Sequence, residues 1–246
     1  MSVSVEEIRN GHAWDSWESA WNTLLSQSPY DLPFMRHEWI SIWSRCFADQ
    51  GDRVTLMATD GDELLFGLPL MESRVGRGPI TLRMINSATN SHSFKHHFLC
   101  KPERPDAMEA VWRHLHNRRD WHMLLLAYVP LGHPDLTQFL DAASRWGHAT
   151  SIKPMYDSAI LPISGTWDEH LGTLKKSFKK TMRRQDNRLK ELGQVRLEVL
   201  SDRSEILEAL PEAWEIERRS WKGEACSAIA SQPQLVQFYS QLADAA

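Results

Sequence analysis

Two stretches of this 246-residue chain gather side chains able to do chemistry. Asn86, Asn90, His92, His96 and His97 form the densest polar run of the first part. Histidine can pass a proton near neutral pH, and asparagine can orient a polar ligand. If Lys95 to Leu99 is extended, His96 and His97 face opposite sides and cannot grip one metal ion together. No Asp or Glu lies between Asn86 and Cys100 to complete a ligand set, so no metal site is expected. Two readings stay open for the run: a polar loop lining an acceptor groove, or a solvated loop.

The second stretch is cationic. Eight basic residues and a single acid, Asp186, lie between Lys175 and Lys190, a net +7 in a chain of net −4. Leu171, Leu174, Phe178, Met182, Leu189 and Leu192 recur three, four or seven apart through it, the stripe of one long amphipathic helix. Three roles fit. The basic face can be solvated while the stripe packs. Lys175, Lys176, Lys179, Lys180, Arg183 and Arg184 can dock an anion such as a coenzyme phosphate, a polysaccharide precursor or tRNA. The helix can also lie on an anionic membrane surface.

The elements that must position these groups follow from periodicity. Trp14, Trp17, Trp21, Leu24 and Leu25 predict an amphipathic helix, and Trp39, Ile42, Trp43, Cys46 and Phe47 a second after Pro33. Val54 to Thr59, an Asp60-Gly61 turn and Leu64 to Met71 read as a hairpin. Gly76, Gly78 and Pro79 interrupt before a strand at Ile80 to Ile85. A helix capped by Asp106 buries Met108, Val111, Trp112 and Leu115, and Met123 to Val129 reads as a strand covered on both faces. A helix from Asp135 to Trp146 and strands near Thr150 to Lys153 and Ser158 to Leu161 complete this unit. The result is a mixed sheet with helices on both faces, in the α/β class.

A second unit opens with Thr166 and Glu169 as a capping box for the basic helix, which Gly193 closes. A strand at Val195 to Leu200, a helix through Ile206 to Ile216 and a helix through Leu235 to Leu242 follow. One strand and two helices cannot bury a sheet face, so this part is expected to pack on the first unit or to be a piece of a longer chain. The expected division is 1–163, a connecting helix at 164–193, and 194–246.

Bulk composition sets the remaining bounds. With 42% hydrophobic and 24% charged residues, the chain can fill a core, and its 11 Trp read mainly as packing. Cys46, Cys100 and Cys226 form no zinc or redox spacing, which suits a reducing compartment. No apolar run is long enough to span a bilayer, and the first residues lack a signal-peptide layout, so a cytoplasmic protein is expected.

The order of these pieces resembles the tandem GNAT-like acyltransferases, the FemAB-like group that includes cellulose-biosynthesis-associated acetyltransferases. Leu32-Pro33-Phe34 with Glu38-Trp39 and Trp43, the hairpin segment Leu64 to Leu70, the Trp167 to Arg184 connection and Ser220-Trp221-Lys222-Gly223 carry the resemblance. It implies acyl transfer from acetyl-CoA or another acyl-CoA to an amine, on a small-molecule or glycan-precursor substrate, in envelope or exopolysaccharide metabolism. A FemAB-type transferase using aminoacyl-tRNA and a non-catalytic binding module are the alternatives. It also implies that the end of the helix carrying Glu215 and Glu217 borders the acceptor site. There Glu217 is the candidate base, with Trp221 and Lys222 joining Asn86, Asn90 and His92 around substrate. The family's pyrophosphate loop has only one partial echo, Arg74-Val75-Gly76-Arg77-Gly78, which is one residue short and leads into a strand. The first unit is therefore expected to bind no coenzyme and the second to lack its later strands.

Overall fold

A computed structural model of the chain describes residues 3–9, 12–47, 49, 51–77 and 80–245. Its centre is a six-stranded mixed sheet ordered β1-β2-β3-β4-β6, with β5 pairing β3 off that path. The strands are β1 (Ser4–Ile8), β2 (Asp52–Asp60), β3 (Glu63–Arg77), β4 (Ile80–Ser87), β5 (Leu99–Cys100) and β6 (Met123–Leu125). All pairings are antiparallel except β4 with β6. The 15-residue β3 pairs three other strands. Its first part pairs β2 from Glu63 to Glu72, its second pairs β4 from Leu70 to Arg77, and Phe66 and Gly67 also take β5.

Alternation along β2 explains why both faces are covered. Val54, Leu56 and Ala58 point to one side, where Phe66, Leu68 and Leu70 join helices α4 (Pro105–Arg118) and α5 (Leu136–Arg145) through Val111, Trp112 and Phe139. Met57 points to the other, where α1 (His12–Asp15) and α2 (Glu18–Ser26) bury Trp14, Trp21, Leu24 and Leu25. Helix α3 (His37–Cys46) turns Ile40 into that second cluster and Ile42, Trp43 and Cys46 into a third.

Gly67 marks the closest approach between layers. A Cβ placed there would sit 2.4 Å from Cζ3 of Trp21, a fully buried ring whose Nε1 donates to the Met35 carbonyl at 2.7 Å. Neither the strand nor the indole can yield, so Gly67→Ala is expected to cost about 1–3 kcal/mol by overpacking. The urea midpoint measures this, and an unchanged midpoint would refute it.

The later part of the chain is helical: α6 (Trp167–Thr173), α7 (Lys176–Glu191), α8 (Arg203–Arg218), α9 (Trp221–Glu224) and α10 (Pro233–Ala245). It docks through α10, whose Leu235 and Phe238 are buried against Trp43, Phe47 and Met71. The Phe238 ring lies 5.4 Å from Trp39 and 5.2 Å from Phe47.

Several sequence expectations need correction. The single basic helix is two, because Leu174 and Lys175 adopt extended ψ angles of 145° and 142°. The Thr166–Glu169 capping box is present, but it starts α6 rather than the longer α7. Asp106 caps nothing: Pro105 opens α4, and Asp106 sits in its first turn, paired with Arg104 at 2.9 Å. Only Met123–Leu125 of the long apolar run joins the sheet, and this last strand leaves Met123 49% and Leu125 50% exposed. The strands expected near 150–153, 158–161 and 195–200 form no ladder, and Ile163 and Leu197 stand 96% and 92% exposed. Apolar content gave these segments a strand signature, but a ladder requires an edge within reach. Conversely, β1 went unread because Glu6 and Glu7 mask its alternation.

Candidate functional site

Some of the groups singled out in the sequence meet where the later helices pack on α3. The loop from Ala88 to Phe98 is folded on its own side chains. The Asn90 carboxamide oxygen accepts the His92 amide at 2.9 Å, and Trp39 Nε1 donates to Ser93 Oγ at 3.0 Å. This local Asx-type closure sets the His92 ring between Phe47 and Tyr239. The ring lies nearly parallel to Phe47 at 6.3 Å, and its Nδ1 is 3.0 Å from the Tyr239 hydroxyl of α10. A contact spanning 147 residues thus joins the two parts of the chain.

Glu217, near the end of α8, lies on the same side. One carboxylate oxygen accepts Lys222 Nζ at 2.6 Å and the other accepts the Ile229 amide at 2.8 Å. These two bonds, Lys222 first, hold the carboxyl below its usual range, so Glu217 stays ionised. Burial lowers the His92 value, and the Glu217 charge opposes that shift. Burial also raises Tyr239, with Glu217 adding to the effect. Near neutral pH the pair is therefore a neutral imidazole beside an un-ionised phenol, with a fixed negative charge behind it. One such pair can accept a proton and relay another.

A cleft of about 880 Å³ opens beside these groups, within the range of small-molecule sites. Pro33, Arg36, Glu38 and Trp39 form its wall from the first unit, and Leu210, Trp214, Glu217 and Tyr239 the wall from the second.

Of the residues expected around substrate, Glu217 lines the cleft, His92 and Lys222 stand behind it through their bonds to Tyr239 and Glu217, and Asn90 shapes the loop. Asn86 is turned to the sheet, donating to Ser73 Oγ at 2.8 Å. Trp221 is 71% exposed at the first position of α9. His96 and His97 are fully buried, which overturns the solvated reading of that part of the loop. His96 Nε2 bonds the Pro69 carbonyl at 2.8 Å, and His97 Nε2 the Tyr30 carbonyl at 3.0 Å. Among the described residues no group of three His, Cys, Asp or Glu side chains could hold a metal, and no helix is long and apolar enough to cross a membrane. Tyr239 and Glu38 gain no site role from the sequence, where Glu38 only helps carry the resemblance. Tyr239 reads there as one more apolar position of an amphipathic helix, and only the long-range packing reveals its hydroxyl.

The segment Arg74–Arg77 closes β3 and pairs with β4 from Ile80 to Arg83, so it is no strand-to-helix turn. Gly78 and Pro79 of that string lie outside the described residues. Helices α6 and α8 have N-termini capped by their own Thr166 and Asp202 side chains. Helix α7 has no side-chain cap, and Lys175, Lys176, Lys179, Lys180, Arg183 and Arg184 cluster along its first turns, with none of the helix's residues buried.

Residues 176–246 match the family model for an acetyltransferase (GNAT) domain. No curated protein sequence matches the chain. Among solved structures, a ribosomal-protein-alanine N-acetyltransferase from Brucella melitensis biovar Abortus 2308 is 13% identical at a TM-score of 0.38, covering 65% of this chain and 100% of its own. A possible acetyltransferase from Clostridium difficile 630 is 9% identical at a TM-score of 0.40, covering 66% and 100%. An aminoglycoside acetyltransferase from an uncultured soil metagenomic sample is 13% identical at a TM-score of 0.40, covering 67% and 100%.

Proposed function

We propose that this chain takes part in N-acyl transfer from an acyl-CoA to an amine, with the acceptor held in the cleft between α3, α8 and α10. The observation that carries the reading is the acetyltransferase-domain match over 176–246, because that stretch contributes Glu217 and Tyr239 to the cleft, with Lys222 bonded to Glu217. The division into a first unit at 1–163, a connecting segment at 164–193 and a second unit from 194 belongs to the same proposal. It is supported by the exposed, unpaired segments on either side of α6 and α7. An acceptor that is a glycan precursor in envelope or exopolysaccharide metabolism, and a place in the cytoplasm, are extensions of this reading.

The donor set suits the phosphates of a coenzyme: an uncapped helix N-terminus flanked by Lys175, Lys176, Lys179, Lys180, Arg183 and Arg184. When bound, acyl-CoA would supply an activated thioester. The chain's own task is to deliver a neutral amine. His92 is neutral near pH 7 and can hold the proton the amine gives up, received through the hydroxyl of Tyr239, which lines the cleft. Glu217 keeps its charge and steadies the imidazolium that results, while its bonds to Lys222 and Ile229 fix the turn after α8. Asn90 fixes the His92 loop.

Calorimetric titration of the purified chain with acetyl-CoA tests the reading. Saturable binding supports it, and no heat at millimolar coenzyme refutes it. The exposed cationic face of α7 also favours a second reading, a FemAB-type transferase drawing on aminoacyl-tRNA. Lys179→Glu with Arg183→Glu should release the chain from heparin at distinctly lower salt, since phosphate-type contacts scale with the charges engaged. Unchanged retention would remove α7 as an anion-docking surface. Binding of tRNA without coenzyme would favour the second reading.

A further inference from the structure

The cleft combines an apolar interior with one uncompensated carboxylate. Trp39, Leu210, Trp214 and Leu242 present hydrocarbon and aromatic surface to it. Three charged side chains line it, Arg36, Glu38 and Glu217. The Arg36 guanidinium is engaged by Asp31 at 3.2 Å, and Glu217 is neutralised by Lys222 at 2.6 Å. Glu38 has no cationic side chain within 4.0 Å among the described residues. Its two oxygens instead accept the Asn22 amide nitrogen at 3.1 and 3.2 Å. The Asn22 carboxamide oxygen is itself tied to the His37 backbone amide at 3.0 Å, so the carboxylate is held in place. The next residue, Trp39, is fixed by Ser93 and brings an aromatic face to the same wall.

A carboxylate held in place at an apolar wall without a counter-ion attracts a cation that can reach it. The rest of the wall favours apolar matter. We infer that this cleft binds an organic amine with an apolar body, an arylalkyl or alkyl ammonium, whose charged head meets Glu38 beside Trp39. A polycationic sugar fits poorly, because it would bury many hydroxyl and ammonium groups against a wall that offers them few partners. The inference names the acceptor class for the proposed transfer and rests on that reading for the fate of the amine, but binding itself requires no coenzyme.

The test is calorimetric titration of the full chain with 2-phenylethylamine, with 2-phenylethanol as its uncharged counterpart, and with an aminoglycoside. The amine is expected to bind about 10-fold tighter than the alcohol, a typical weight for one desolvated charge contact. Glu38→Gln should bring the two within about 2-fold while leaving the thermal midpoint in place, because Gln keeps an acceptor for Asn22. Trp214→Ala should weaken both ligands together. Equal affinity of amine and alcohol for the unaltered chain overturns the inference, as does no binding or a preference for the aminoglycoside. If the amine binds with the expected Glu38 dependence and no thiol appears on adding acetyl-CoA, the cleft assignment stands and the transferase reading falls.

Discussion

Acidifying the protein from pH 7 to pH 4.5 should strip several kcal/mol from its unfolding free energy before carboxylate titration contributes much. The source is the histidine group under the Ala88–Phe98 loop. His96 is buried with its Nδ1 unpartnered, and burial pushes its value down to about 4. His133, 4.6 Å from the Phe98 ring, is driven by burial to about 4 as well, and burial lowers His97. In each case the folded value lies below the ordinary 6.5 of the unfolded chain. The unfolded state therefore takes up protons first as pH falls through 6.5. Stability is complete above that point, declines until about pH 4, and then levels. For His96 alone the span corresponds to roughly 3 kcal/mol. Urea unfolding at pH 7, 6, 5 and 4.5 reads the slope. His96→Gln keeps a donor for the Pro69 carbonyl and removes the titration, so its profile should be flatter. Equal unfolding free energies at pH 7 and 4.5 would refute the argument.

Replacing His92 with Ala should lower the amine-acylation turnover by about 100-fold with little change in KM, the usual weight of one general acid–base group. Tyr239→Phe should lose less, because it leaves the imidazole while removing its hydroxyl partner. The pH profile separates chemistry from mere packing. Only neutral His92 accepts a proton, so turnover should rise with pH to a plateau reached below or near the ordinary histidine value. Glu217→Gln removes the negative charge that props the His92 value up. Its acid limb should then shift to lower pH, along with any loss in rate. A limb that does not move would confine Glu217 to tethering Lys222 and the Ile229 turn.

Much of the frame was legible because short-range rules dominate it. The tryptophan periodicity before Pro33, the β2–β3 hairpin and the alternation of Val54, Leu56 and Ala58 each carry their own signal. The charged face of α7 is equally plain, although its separation from α6 rests on two backbone angles that no residue type announces. The site was half legible. His92, Glu217 and Lys222 drew notice by type, but what makes them a site is a helix joining from 147 residues away, which periodicity cannot encode. Tyr239 looks like core until His92 is placed against it. Apolar segments at 158–161 and 195–200 read as strands for sound reasons, yet pairing depends on an available edge rather than on composition.

The most direct measurement follows thiol release from acetyl-CoA in the presence of 2-phenylethylamine, with the unaltered chain and the His92→Ala variant side by side. Thiol and N-acetylated amine are expected in equal amounts from the former, and a rate about 100-fold lower from the latter. Equal rates in the two proteins, or no product from either, would contradict it.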